Sequence, residues 1–170
     1  MSEPLRELIL WRHAKSDWSQ PELKDIERPL AERGRRNAKK MAHWIQQQSL
    51  QPDLILCSPA KRAQQTLKRL CKDCKTQVQT LDQLYMAEVN ILCQTLAEVH
   101  PNTQSVMLIG HNPGLEGFIR YLQGSSDLHQ PQSVKLFPTA AVARFVLPAN
   151  WNKLKAGAGK LISITRPKDI

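Results

Sequence analysis

Leu8-Ile9-Leu10-Trp11-Arg12-His13-Ala14-Lys15 runs four apolar residues straight into an arginine, a histidine and a lysine. An apolar run this short and uninterrupted reads as a strand buried on both faces, the kind found inside a parallel sheet. Leu54 to Cys57, Val106 to Ile109 and Ala140 to Leu147 repeat the character, each bounded by Pro, Gly, Ser or Asn. Between these strands the apolar residues fall on helical faces: Ala38, Met41, Ala42 and Ile45; Ala63, Leu67, Leu70 and Cys74; Val89, Leu92, Leu96 and Val99; Leu115, Phe118, Ile119 and Leu122. Strands alternating with helices predict an α/β domain with helices on both faces of a largely parallel sheet. The tail departs from that rhythm. Ala140 to Leu147 and Leu161 to Thr165 follow one another through a loop rich in Trp, Pro, Gly and Lys, which predicts a hairpin-like, antiparallel addition to the sheet.

The chain has 170 residues, 41% hydrophobic and 23% charged, enough for one domain with its own core. It shows no internal repeat, no low-complexity tract and no interdomain linker. No stretch approaches the apolar length of a membrane span, and Met1 to Arg12 lacks the pattern of a secretory signal. Four cysteines (Cys57, Cys71, Cys74 and Cys93) are too few for a disulfide scaffold, so reduced thiols and a cytoplasmic location are expected. The net charge of +9 is concentrated toward the N-terminus, and charge alone does not choose between nucleic acid, a membrane surface and a small anion.

Ligands of open α/β sheets bind beyond the carboxyl ends of the strands, and three strand ends here carry cations or imidazoles. The first delivers Arg12 and His13. The strand from Leu54 leads through Ser58-Pro59-Ala60-Lys61 to Arg62, and the strand from Val106 ends in Gly110-His111-Asn112-Pro113-Gly114. Singly, each residue has a bland reading as a solvated cation or a half-buried histidine. Two guanidinium groups and two imidazoles converging without nearby carboxylates would repel one another unless an anion sits between them. Phosphate is the expected anion, with the helix starts after Ser58 and Asn112 adding backbone N–H groups.

These residues resemble the histidine phosphatase superfamily, the phosphoglycerate-mutase-like group, and within it most closely the short SixA-type phosphohistidine phosphatases. Arg12-His13 is similar to the family's Arg-His signature, and Ser58-Pro-Ala-Lys-Arg62-Ala63-Gln-Gln-Thr66 to its S-x-x-x-R-A-x-x-T helix start. Gly110-His111-Asn112 resembles its late Gly-His element, and Arg28-Pro29-Leu30 with Gly34 its P-L-x-x-x-G helix opening. The four elements occur in order across nearly the whole chain. The resemblance implies a three-layer α/β/α fold and a single domain over residues 1–170. It further implies a phosphatase with His13 as nucleophile and Arg12, Arg62 and His111 clamping the phosphoryl oxygens, without metal or cofactor. Arg28, Lys15 and Asn112 are further candidates for substrate contact.

Two departures bear on the substrate. Many relatives read Arg-His-Gly-Glu where this chain has Arg12-His13-Ala14-Lys15, and the acidic general acid of phosphomonoesterases has no clean counterpart in Leu81-Asp82-Gln83-Leu84-Tyr85-Met86-Ala87-Glu88. Glu88, the nearest candidate, stands at a helix start, where an acidic residue is expected for dipole reasons alone. A missing acid matters less when a labile P–N bond is broken than when an alkoxide leaves, since proton delivery contributes about 10² to 10⁴-fold. The expected substrate is therefore phosphohistidine of a protein or another phosphoramidate. The alternatives are a small-molecule phosphomonoesterase of the same superfamily and, in another class, a non-catalytic basic module binding phosphate or nucleic acid. Gly124 to Pro138 is the stretch able to fold across the pocket mouth.

The remaining features have structural readings. Cys71-x-x-Cys74 falls in the second helical pattern with no partner at zinc spacing, and core packing is expected. His43, His100 and His129 share no inferable geometry. The run Arg33 to Lys40 has no interleaved aromatics, so a solvated helix face is expected and nucleic acid is not.

Overall fold

A computed structural model describes residues 4–124 and 135–170. The central part of the stretch expected near the pocket mouth, and His129 with it, therefore lies outside the described residues. Six strands, β1 (Arg6–Arg12), β2 (Leu54–Cys57), β3 (Gln77–Thr80), β4 (Ser105–Gly110), β5 (Val142–Leu147) and β6 (Lys160–Thr165), form one sheet in the order β3-β2-β4-β1-β5-β6. β3, β2, β4 and β1 are mutually parallel, β5 runs antiparallel to β1, and β6 antiparallel to β5. The mostly parallel sheet with its antiparallel C-terminal addition matches the sequence reading.

The opening apolar run is explained by what lies on either side of it. Strand side chains alternate between faces, so Leu8 and Leu10 enter one core with α3 (Val89–Ala97) and α4 (Gly114–Gln123). Ile9 and Trp11 enter the other, with α1 (Glu32–Gln47) and α2 (Lys61–Leu70). All four are fully buried, and each such side chain stabilises the fold by about 1.5–3 kcal/mol relative to exposure. The Trp11 indole N–H is satisfied by the carbonyl of Ala140, which ties β1 to the entry of β5.

Two expectations are corrected. β3 has no counterpart in the apolar pattern, because its four residues Gln77-Val78-Gln79-Thr80 are all exposed at the sheet edge and Val78 alone among them is apolar. Cys71 and Cys74 do not pack on a helix. α2 ends at Leu70, the residues Lys72, Asp73, Cys74 and Lys75 are exposed, and nothing apolar follows to hold another turn against the sheet. The two cysteines are instead joined as a disulfide, with Cα atoms 5.0 Å apart, so the expectation of reduced thiols holds for Cys57 and Cys93 alone. Val99 is buried as expected, although α3 ends two residues before it.

Candidate active site

The sheet register sets the site. Arg12 pairs with Gly110 and Cys57 with Ile109, so β1, β4 and β2 end at one level and release His13, His111 and Ser58 side by side. Backbone bonds hold these exits: His13 N–H donates to the Gly110 carbonyl and Ser58 N–H to that of Ile109, both at 3.0 Å. Thr66 on α2 accepts from the Ala14 N–H at 3.0 Å and donates to the Arg62 carbonyl, fixing the loop after the nucleophile candidate to the helix that carries Arg62. The His13 and His111 ring centroids are 5.0 Å apart.

Hydrogen bonds define the protonation of both imidazoles. His13 Nδ1 lies 2.7 Å from the Ala14 carbonyl, which can only accept, so Nδ1 carries the proton and Nε2 keeps its lone pair. Arg62 Nε–H points at that lone pair from 3.4 Å. His111 has the opposite tautomer. Arg62 Nη2 stands 3.3 Å from its Nδ1 and can only donate, while His111 Nε2–H donates to Ser58 Oγ at 2.7 Å. Burial, aided by Arg62 and Arg12 and opposed by the Ala14 carbonyl, lowers the pKa of His13 to about 4. Burial, then His13 and Arg62, lowers that of His111 to about 3. Both rings are neutral at neutral pH.

A carboxylate is present where none was expected. Asp25, in a single 3-10 turn (Asp25–Glu27) just before Arg28, accepts from Arg62 Nη2 at 2.9 Å, and its backbone carbonyl accepts from Nη1 at 2.8 Å. The Tyr85 hydroxyl donates to the same carboxylate oxygen. Burial alone would raise the pKa of Asp25, but the bonds from Tyr85 and Arg62 outweigh it and hold the carboxyl below its usual range. Tyr85 is shifted upward by burial and by Asp25. The repulsion foreseen among Arg12, Arg62 and the imidazoles is thus relieved internally, by one carboxylate and two neutral rings.

The structure sorts the other candidates. Arg12, His13, Lys15, Arg62 and Asn112 line one cleft of about 460 Å³, together with Asp25 and Tyr85. His111, only 3% exposed, is not on its wall and packs edge-on against Tyr85. Arg12 donates to the Phe137 carbonyl at 3.0 Å, and burial lowers its pKa. Asn112 donates to the same carbonyl at 2.8 Å, while its Oδ1 accepts from the Glu116 N–H, so its side chain caps α4 and joins two loops. Lys15 is exposed at the mouth. Arg28 is buried behind the wall, donating to the Gln20 carbonyl at 3.3 Å with its guanidinium 4.2 Å over the Trp18 ring. Glu88 is an exposed N-cap residue of α3 and is not among the cleft residues.

Sequence reasoning missed Asp25, Tyr85, Trp18 and Met86. The one available signal for Asp25 was its position three residues before Arg28, the spacing of a single turn. Among the described residues no group of three or more His, Cys, Asp or Glu side chains is arranged to hold a metal ion, and no helix is long and apolar enough to cross a membrane.

A six-stranded α/β sheet whose parallel strand ends, with the helix after β2, bring His13, Arg12 and Arg62 to one cleft and bury His111 beside it is the architecture of a histidine phosphatase. The chain belongs to the histidine phosphatase superfamily (branch 1), whose family model matches residues 8–91. Members of this superfamily are typically phosphatases. The chain is similar to the crystal structure of a protein designated phosphohistidine phosphatase SixA from Agrobacterium tumefaciens, at 30% identity and TM-score 0.81, covering 98% of this chain and 100% of that one. It is also 28% identical over 132 residues to the phosphohistidine phosphatase SixA of Escherichia coli (strain K12), covering 75% of this chain and 78% of that protein. An uncharacterized protein of Mycobacterium tuberculosis (strain H37Rv) is 28% identical over 160 residues, or 92% of this chain and 99% of the relative.

Proposed function

We propose that residues 1–170 form a single-domain phosphatase that transfers a phosphoryl group to Nε2 of His13 and then to water, acting on phosphohistidine of a protein or another phosphoramidate. The observation that carries this reading is the His13 imidazole itself. Its Nδ1–H is held by the Ala14 carbonyl, its Nε2 lone pair lies beside Arg62, and it lines an open cleft. A neutral imidazole so oriented needs no base to become a nucleophile. Its lone pair forms the new N–P bond while the bond from phosphorus to the leaving nitrogen breaks. That nitrogen takes the electron pair and a proton from solvent. Water then attacks the phosphohistidine, releasing phosphate and restoring neutral His13.

Arg12 and Arg62 stabilise the charge spread over the phosphoryl oxygens, and Arg62 does so with two N–H groups on a planar fork. His111, held neutral between Ser58 and Arg62, accepts from Arg62 Nη2 and so helps to orient that guanidinium from behind the cleft wall. The preference for a P–N bond is supported by the state of the nearby carboxyl groups. Asp25 is held ionised by Arg62 and Tyr85, and Glu88 does not line the cleft, so among the described cleft residues no carboxylic acid is poised to protonate an alkoxide.

Rapid quenching with a ³²P-labelled phosphoramidate tests the reading. Wild type is expected to trap acid-labile, base-stable phosphate on the protein, and His13→Ala to trap none and turn over at least 10³-fold more slowly, since the nucleophile is lost. An adduct-free wild type, or normal turnover by His13→Ala, overturns it. A panel of phosphohistidine, phosphoramidate and sugar phosphates ranks the substrates, and a preference for sugar phosphates would support the phosphomonoesterase alternative.

A further inference from the structure

A phosphoryl group is small beside a cleft of about 460 Å³, and the outer part of that cleft contains two exposed apolar side chains, Trp18 at 62% and Met86 at 46% exposure. Single exposed apolar residues need no explanation, but these two are held in place. The Trp18 indole N–H donates to Ser16 Oγ at 3.1 Å, and one face of the ring is covered by the Arg28 guanidinium at 4.2 Å. Arg28 is in turn fixed by the Gln20 carbonyl and lies 3.9 Å from Asp25. A surface tryptophan normally samples several rotamers; this one has its orientation set by a buried cation, with its remaining surface open to the cleft.

Met86 carries an independent mark. Its backbone has φ of +50°, in the left-handed region that a non-glycine residue enters at a cost of order 1 kcal/mol. That turn places its sulfur 3.9 Å from Arg62 Nη2, beside the guanidinium expected to hold the phosphoryl group. Neither residue contributes to the two apolar cores, so packing does not account for their placement.

We infer that Trp18 and Met86 are specificity residues which grip the leaving group, and that they select a phosphoryl group bonded to a planar nitrogen heterocycle, the imidazole of phosphohistidine, over one bonded to a small or aliphatic amine. The inference rests on the phosphatase reading above. A flat ring gains from the π-face of an indole and from a thioether in a way that an ammonia or alkylamine leaving group does not. The cation behind Trp18 raises no barrier to a leaving group that departs neutral. Lys15 lines the same cleft and is exposed to solvent.

The test uses two P–N compounds that differ in the leaving group, N-phosphorylimidazole and phosphoramidate, and reads the ratio of their kcat/KM values. Trp18→Ala is expected to lower the ratio about tenfold, Met86→Ala by a smaller factor, and Trp18→Phe to restore most of it, because a phenyl face replaces the indole face. A purely structural role for Trp18, supporting Arg28, would lower both activities together and leave the ratio where it was. A ratio within about twofold of wild type in Trp18→Ala overturns the assignment, with thermal melts reporting whether each variant is folded. If wild type hydrolyses both compounds and the ratio survives, the grip is wrong and the phosphatase reading stands. If wild type hydrolyses neither, both fail.

Discussion

Lowering the pH from about 7.5 to about 4.5 should remove a large part of the stability of this fold, and the two site histidines should account for most of the loss. In the unfolded chain an imidazole titrates near 6.5, whereas burial in the native protein pushes His13 down to about 4 and His111 down to about 3. Because the native values are lower, the unfolded chain binds more protons between the two limits, so stability falls as pH drops below 6.5 and levels off only below the native values. At pH 4.5 an unfolded imidazole is about two units below its midpoint, worth about 2–3 kcal/mol. The native rings recover almost none of this, so the pair costs about 5 kcal/mol, against a total stability of about 5–15 kcal/mol for an ordinary domain. Urea unfolding at both pH values, followed by tryptophan fluorescence, measures the loss. His111→Gln removes one titrating ring and should shrink it by about 2–3 kcal/mol. A variant that loses as much stability as wild type, or a wild-type His111 whose ring protons titrate near 6.5 by NMR, would refute the reasoning.

Three further outcomes are expected. Asp25→Asn removes the anion paired with Arg62, so inorganic phosphate measured by calorimetry at low salt should bind several-fold more tightly; weaker binding would contradict a competing role for Asp25. Gly34→Ala would place a Cβ 2.1 Å from the Lys15 carbonyl oxygen, against backbone that cannot swing away, and should cost about 2 kcal/mol or more in unfolding free energy. A substitution there that leaves stability unchanged would show that the contact yields freely. Thiol titration of protein denatured without reductant should find Cys57 and Cys93 alone, and all four cysteines after reduction. Four reactive thiols before reduction would argue against the pairing.

The parts of the molecule that were legible in its sequence are those where burial leaves a pattern. β1 is apolar because both its faces are covered, and Arg12, His13, Arg62 and His111 could be placed because each follows such a strand at a short, fixed distance. β3 left no pattern, since an edge strand with four exposed residues is under no pressure to be apolar. The Cys71-x-x-Cys74 spacing is helical in sequence, and only the polarity of Lys72, Asp73 and Lys75 hinted that no turn would pack there. Asp25 was hidden for a different reason. It lies in a polar loop among other charged residues, and its contact with Arg62 is made across 37 positions of sequence by a turn with no periodicity. The tautomers of His13 and His111 depend on one carbonyl and one hydroxyl that happen to be within reach, and no residue spacing encodes them.

The position of β1 in the sheet also bears on how the chain reaches its native state during synthesis. β1 is made first, yet its two neighbours are β4, about a hundred residues later, and β5, which ends at Leu147. Pairings this distant in sequence close late, after the loop entropy of the intervening chain has been overcome. A nascent polypeptide thus carries β1 without the two strands that flank it until β4 and β5 have been made. Until Leu147 has emerged, the apolar residues of β1 are exposed to other chains in the cell, which makes this segment the natural client of any chaperone that meets the protein on the ribosome.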